Sequence, residues 1–125
     1  MNLELQSEQL AAFKDYYSTD EIHPGDYVST LWAYQPRNQD EFELERGDMF
    51  RIIGIWDDGW ATATRFKTRA EEFDWALPRQ KDESPPFGEI KMVALVCVCL
   101  PQHWRKTIEE GEADTVVKPV IGTAL

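Results

Sequence analysis

The feature that most constrains the fold of this chain is a pair of β-like runs separated by a tight turn. Residues 49–55 read MFRIIGI, and residues 60–66 read WATATRF, which alternates as a half-buried strand does. Between them lies Asp57-Asp58-Gly59, a combination typical of turns between antiparallel strands. The pattern predicts two strands that run back on each other.

Two further runs have the same character. Residues 28–34 and residues 93–100 are short and apolar, and the second is rich in β-branched side chains. A long polar loop over residues 35–46 and a turn at Arg46-Gly47-Asp48 separate the first run from the predicted pair. Several short strands with turns between them and almost no helix predict an all-β domain, either a small barrel or a sandwich.

Three segments lie outside this pattern. An N-terminal extension, residues 1–26, is expected to contain a short amphipathic helix, because apolar residues recur in it at roughly helical spacing. These residues are Leu3, Leu10, Phe13 and Tyr17. Residues 67–90 are charged and proline-containing and predict an inserted loop, with one helical turn around residues 70–76. The domain itself is then expected over residues 27–108, followed by a C-terminal tail, residues 109–125, without convincing periodicity.

Charge and length restrict the partners. The chain has 125 residues and a formal net charge of −10, and an acidic surface repels nucleic acid and anionic membranes but suits basic peptides. No run approaches the ~18 apolar residues of a membrane span, and the N-terminus lacks the pattern of a secretory signal. Cys97 and Cys99 lie two apart on one predicted strand, where a disulfide would be strained, so we expect a reducing, cytoplasmic setting. We also expect a monomer.

Motifs for catalysis and metal binding are missing from the sequence. His23 and His103 do not combine with the two cysteines at the spacing of zinc ligands. The turn at residues 57–59 is not followed by the ligand series of a calcium loop. The chain contains neither a nucleophile elbow nor a glycine-rich phosphate loop. We therefore expect a protein that is not an enzyme and that needs no metal or cofactor.

Large aromatic side chains stand at the ends of the predicted strands. Three separate segments, LWAYQP, DDGWATA and CLPQHW, contribute Trp32, Tyr34, Trp60, Pro101 and Trp104. Rings in such positions are poorly placed for a core but well placed to line a surface groove. An aromatic groove flanked by acidic residues suits a basic, proline-rich peptide.

Four of these motifs, taken in order, resemble the Src-homology-3 (SH3) family. They are TLWAY at residues 30–34, DEFEL at residues 40–44 with Gly47-Asp48 after it, the strand-turn-Trp pattern ending at Trp60, and PQHW at residues 101–104, which resembles the family's closing 3₁₀ turn. The resemblance covers residues 28–64 and about 92–106. It implies an all-β, five-stranded SH3-type barrel with a short N-terminal helix and an inserted loop before the last long strand.

The resemblance also implies a function and a site. The function is capture of proline-rich, PxxP-type peptides that carry Arg or Lys, within an adaptor or signalling protein. Two proline pockets would be formed by Trp32, Tyr34, Trp60, Pro101 and Trp104, with His103 in place of the family's groove asparagine. A third pocket, for the basic residue, would be lined by Glu41 beside Trp60, with Asp40, Glu43, Asp57 and Asp58 nearby, because a carboxylate pairs with a guanidinium that also stacks on indole.

The chain departs from the family pattern at several positions. Trp32 and Trp104 replace tyrosines, and an indole N–H donates a hydrogen bond but accepts none. Thr30 replaces a small alanine that is tucked into the core, so its hydroxyl must find a partner. These departures concern the choice of ligand more than the fold.

Three alternatives remain open at this stage. An aromatic cage with nearby carboxylates also suits a methyl-lysine reader. The same motifs also fit a structural SH3-like domain whose groove is occupied by its own insert or tail. The chain could also be the accessory domain of a longer enzyme.

Overall fold

The computed structural model describes residues 8–74 and 88–113, and the side chains of residues 8–74 and 88–110 within them. The described chain is mostly β-sheet with one α-helix. Its elements are β1 Gln9–Leu10, β2 Phe13–Lys14, β3 Glu21–Ile22, β4 Tyr27–Thr30, β5 Met49–Trp56, β6 Trp60–Phe66, β7 Ile90–Ala94, a 3₁₀ turn Leu95–Cys97, β8 Val98–Cys99 and α1 Pro101–Ala113.

The predicted pair of strands is confirmed as the centre of the sheet. β5 and β6 pair antiparallel from Met49 opposite Phe66 to Ile55 opposite Ala61, with one irregularity next to Gly54. Gly59 ends the turn with φ of 91°, a conformation that glycine adopts without strain. The strands follow the order β7-β6-β5-β4-β8, and β1 pairs with the far end of β5.

The core consists of two clusters of buried apolar side chains, and Met49 of β5 belongs to the second one, with Leu31, Cys99 and Trp104. The first cluster is built by alternation along β5. Phe50, Ile52 and Ile55 of β5 are fully buried, and they join Val93 and Val98 in one apolar cluster. The long loop before β5 contributes through its own alternation. Phe42 and Leu44 are buried there, whereas Glu43 and Glu45 are exposed.

The described chain is mostly β-sheet with one helix, which is compatible with the all-β class, but the five-stranded barrel is not confirmed. Among the described residues β7 and β8 are joined by the 3₁₀ turn and form no ladder with each other, so the sheet is not closed. The first predicted strand, residues 28–34, ends as a strand at Thr30, and Tyr34 forms only an isolated bridge with Leu44.

The N-terminal helix is a wrong prediction for the part of the extension that the structure describes. Residues 8–22, here called the arm, form β1, β2 and β3 instead. β1 pairs with Trp56 and Ile55, and β2 pairs with β3. Helical spacing of apolar residues was overridden because the sheet edge and the core, where Ile22 is buried, offer the arm tertiary partners.

The closing 3₁₀ turn is also displaced from its predicted position. It lies at Leu95–Cys97 and interrupts the apolar run 93–100, whereas residues 101–104 form the first turn of α1. Proline is well suited to the first turn of a helix, where its missing N–H costs nothing. The helix continues to Ala113 and therefore takes up the start of the segment 109–125, which was expected to lack regular structure.

The insert is described at its two ends only. Residues 70–74 form turns closed by hydrogen bonds such as that from the Phe73 amide to the Ala70 carbonyl at 3.3 Å. The predicted helical turn is thus not formed there, and its last two residues lie outside the described residues. No helix among the described residues is long and apolar enough to cross a membrane.

Candidate functional site

The sheet brings Trp60 and Tyr34 together. Trp60 is the first residue of β6, directly after the tight turn, and Tyr34 is held by its bridge to Leu44. Their ring centroids are 5.8 Å apart with an interplanar angle of 74°, an edge-to-face contact. Both residues are half-buried, so the pair presents ring surface to solvent while resting on the core.

Glu41 completes this cluster as its acidic member. The Tyr34 hydroxyl donates to its Oε1 at 2.8 Å, the Arg37 amide donates to the same oxygen at 2.8 Å, and the Asn38 side chain donates to Oε2 at 3.2 Å. The Arg37 amide and then the Tyr34 hydroxyl lower the pKa of Glu41. Since a carboxylate offers about four acceptor positions, roughly one remains for a ligand. Glu41 therefore has too few free acceptor positions for a bidentate pair with a guanidinium.

The tight turn places two more carboxylates beside Trp60. Asp57 and Asp58 are exposed, and Asp58 accepts a hydrogen bond from the Trp60 amide at 3.1 Å. Asp57 has no side-chain partner among residues 8–74 and 88–110. Asp57 is thus available to a cation without first losing an internal contact.

The two remaining acidic candidates lie on the long loop. The Asp40 carbonyl accepts a hydrogen bond from the Met92 amide at 2.7 Å, and Glu43 accepts one from Gln35 at 3.2 Å. Both side chains are exposed. Asp40 flanks Glu41 directly, whereas Glu43 is already engaged within its own loop.

The indole N–H of Trp60 is the available donor of this cluster. In the described part of the chain it has no hydrogen-bond partner, and the ring is half-buried. The two other candidate indoles are engaged internally. Trp32 Nε1 donates to the Tyr17 hydroxyl at 3.1 Å, and Trp104 Nε1 donates to the Thr30 carbonyl at 2.7 Å.

Trp32 is half-buried and has partners in the arm and in the loop before β5. The Arg46 guanidinium stands 5.6 Å from its ring centroid, which is cation–π distance. The Tyr17 hydroxyl in turn donates to the Val96 carbonyl of the 3₁₀ turn. Burial of this hydroxyl raises the pKa of Tyr17 to about 12.

The structure does not bring Pro101, His103 and Trp104 to the Trp60 cluster. Trp104 is 5 % exposed and packs against the second apolar cluster, which contains Leu31. The His103 ring hydrogen-bonds Asp20 of the arm at 2.7 Å. These three residues lie elsewhere because residues 101–104 belong to α1 instead of a closing 3₁₀ turn.

Pro101 lines a different concavity, between the arm and α1. This concavity has a volume of about 420 Å³, and it is lined by Asp20, Glu21, Asp26, Tyr27, Phe73, Leu100, Pro101 and Gln102. No member of the Trp60 cluster is among these residues.

The Thr30 hydroxyl, for which the sequence required a partner, is buried without one among the described residues.

Sequence reasoning missed the arm as part of the site. It assigned Tyr17 to a helix face and gave no role to Tyr16 or Asp15. One signal was present in the sequence, since Ser18-Thr19-Asp20 directly after the tyrosines is a polar cluster typical of a turn. A turn there argues against a helix that continues through Tyr17.

Comparisons with known proteins support the SH3 resemblance in part. The chain is 34 % identical over 93 residues to dynamin-binding protein from dog, a match that covers 62 % of this chain and 6 % of that protein. It is 38 % identical over 45 residues to sorbin and SH3 domain-containing protein 2 from human and from rat, covering 36 % of this chain and 4 % of those proteins. No family model and no solved structure matches.

Proposed function

We propose that this chain is a protein-interaction module that binds proline-containing peptide segments carrying Arg or Lys. It acts without catalysis, as an SH3-type domain of a cytoplasmic adaptor or signalling protein. The single observation that carries the proposal is the cluster of Trp60, Tyr34 and Glu41. In it, two partly exposed rings meet at an angle beside a charged carboxylate.

A polyproline helix fits such a cluster. It has three residues per turn, it is already extended before binding, and its backbone carbonyls are not used internally. Its proline rings pack on the faces of Trp60 and Tyr34. The indole N–H of Trp60, which has no partner among the described residues, donates to one of its carbonyls. Docking costs little entropy because the peptide is preorganised.

Charge favours a basic residue next to the proline. The Asp57 side chain has no partner among the described residues. Because the pKa of Glu41 is lowered, its carboxylate stays ionised at pH values at which an ordinary glutamate begins to take up a proton. Glu41 contributes one acceptor position rather than a bidentate clamp. The net charge of −10 attracts a basic peptide at long range and raises its association rate.

The strand order and the relatives support the SH3-type assignment. The central β5–β6 pair, the 3₁₀ turn before the last short strand and the acidic loop before β5 fit that family's order of elements. Two of the similar proteins are named for SH3 domains. A short peptide that contacts only this cluster and its neighbours buries little surface. We therefore expect a dissociation constant on the order of micromolar, a binding free energy of roughly −8 kcal/mol.

The test is a peptide titration of Trp60→Ala. Binding of a proline-rich peptide containing Arg is monitored by chemical-shift perturbation. We expect Trp60→Ala to abolish saturable binding while its circular dichroism spectrum stays that of the wild type. Trp60→Phe separates the two contributions of the indole, since it keeps a ring but removes the N–H donor, and it should weaken binding less.

Ile90→Ala serves as the control, because Ile90 is 52 % exposed at the start of β7. Undiminished binding by folded Trp60→Ala protein would count decisively against the proposal. Binding of a trimethyl-lysine peptide in place of the proline-rich one would favour the methyl-lysine alternative.

A further inference from the structure

The arm carries two adjacent tyrosines beside the candidate groove, the name used here for the surface formed by the Trp60 cluster together with Trp32. Tyr16 and Tyr17 have ring centroids 6.3 Å apart, and Phe13 lies 5.4 Å from Tyr16. A Cβ placed on Gly59 would lie 3.8 Å from the Tyr16 hydroxyl, so Tyr16 stands beside the turn that leads into Trp60. Tyr17 stands at the other end, beside Trp32 and Val96.

The contacts of Tyr17 close the Trp32 end of the groove. Its hydroxyl bridges the Trp32 indole N–H and the Val96 carbonyl, and so uses the polar groups that would meet a peptide there. Arg46 stacks on the Trp32 ring. The N–H of Trp32 and the ring face that Arg46 covers are therefore occupied by residues of the same chain.

Tyr16, by contrast, is open. It is 54 % exposed and is one of two large hydrophobic residues that are exposed among the described residues. An exposed tyrosine beside a partly exposed tryptophan offers contact area at a low cost in side-chain entropy, the property that favours tyrosine in binding surfaces. Tyr16 thus extends the aromatic surface of Trp60 on the side of the tight turn.

The arm is fixed in this position. The Asp15 carboxylate, 2 % exposed, accepts hydrogen bonds from the Leu100 amide at 3.0 Å and the Tyr17 amide at 2.9 Å. Ile22 at the end of the arm is buried in the main core. A segment anchored by a buried carboxylate and a core residue is a permanent wall of the groove rather than a flap that a ligand displaces.

We propose that the arm determines which peptides the groove accepts, with Tyr17 closing its Trp32 end and Tyr16 forming a wall beside Trp60. This inference rests on the proposed function. It narrows the ligand to a short segment with one proline turn and one adjacent Arg or Lys. A second proline turn, about three residues or ~9 Å farther along a polyproline helix, finds no pocket at Trp32.

The first experiment needs no variant. Two capped peptides are titrated into the full chain, a long one with two proline turns and an Arg, and a short one that lacks the turn farther from the Arg. We expect dissociation constants within about two-fold of each other, because the second proline turn finds no pocket. If that turn contributed about 1.4 kcal/mol of binding free energy, the long peptide would bind tenfold more tightly. A preference of tenfold or more for the long peptide would overturn the inference while leaving the proposed function in place.

The second experiment uses the tyrosines. Tyr16→Ala should weaken both peptides by about three- to ten-fold, the range of one aromatic contact, Tyr16→Phe should retain binding, and Ile90→Ala should change nothing. Tyr17→Ala should open the closed end and strengthen the long peptide selectively. Tyr17→Phe, which keeps the ring but removes the bridging hydroxyl, should do so to a smaller degree and serves if Tyr17→Ala does not fold.

The outcomes separate the two claims. If neither peptide binds saturably, the proposed function fails and this inference fails with it. If both bind but Tyr16→Ala is indistinguishable from wild type, the arm is not a wall of the site and only the inference fails. Chemical-shift changes at Tyr16 on addition of the short peptide would support both.

Discussion

Replacing Asp15 with alanine should be among the most damaging single substitutions in the described chain. Its buried carboxylate pairs with two backbone amides, one of them the buried amide of Leu100 and the other the part-buried amide of Tyr17. Hydrogen bonds to a charged group contribute roughly 1.5–3 kcal/mol each, and a buried donor left unpaired costs about 1–3 kcal/mol. Water can reach the Tyr17 amide more easily, so we expect a total loss of about 2–4 kcal/mol.

Urea unfolding followed by tryptophan fluorescence measures this loss. With a slope of about 1–3 kcal/mol per molar urea for a domain of this size, the midpoint should fall by roughly 1–2 M. Asp15→Asn should lose less stability than Asp15→Ala. Its side-chain carbonyl still accepts one of the two hydrogen bonds, whereas its NH₂ group, itself a donor, cannot accept the other. Asp57→Ala is the matched control, an exposed aspartate that should change the midpoint little.

A midpoint for Asp15→Ala within the error of the Asp57→Ala control would refute the reasoning. It would mean that the carboxylate does not hold the arm to the Leu100 amide, or that water replaces it without cost. The permanence of the arm as a wall would lose its main support in the same measurement.

Two further predictions concern pH and salt. Burial raises the pKa of Tyr17 to about 12 and that of Cys97 to about 11, above their ordinary values of 10.0 and 9.0. The stability these protonated groups contribute is therefore complete below the ordinary values and lost as pH rises through about 11 to 12. Urea midpoints against pH should show this decline, Tyr17→Phe should lessen it, and a midpoint constant to pH 12 would contradict it. Raising salt from about 0.05 to about 0.5 M should slow peptide association several-fold in stopped flow, less so in Asp57→Asn, and a salt-insensitive rate would remove the acidic residues from the mechanism.

The parts of the fold that could be predicted are those in which local sequence and final environment agree. The β5–β6 pair was predictable because alternation, β-branched residues and a turn ending in glycine all favour the same structure. The burial of Phe42 and Leu44 on either side of the exposed Glu43 follows the same period of two. The pairing of Trp60 with Tyr34 and Glu41 needed the motif order in addition, since these residues are distant in sequence.

The parts that could not be predicted depend on tertiary contacts. The apolar run 93–100 is continuous, so nothing in its periodicity marks the 3₁₀ turn within it. Pro101 suits the start of a helix as well as a closing turn, and only the burial of Trp104 against Leu31 decides between them. The turn at Ser18-Thr19-Asp20 was visible in the sequence. The strands of the arm were not, because they are stabilised by Asp15 and Ile22 docking onto distant elements.

The two thiols have a practical consequence for studying the protein. Cys97 and Cys99 are free and buried, and burial raises the pKa of both. Since alkylating reagents attack the thiolate, the folded chain should react with them only when it opens. Cys97 follows the residue that Tyr17 holds, and Cys99 precedes the residue that Asp15 holds. Their labelling rates therefore report the openings of the folded chain that expose these two positions, detachment of the arm among them.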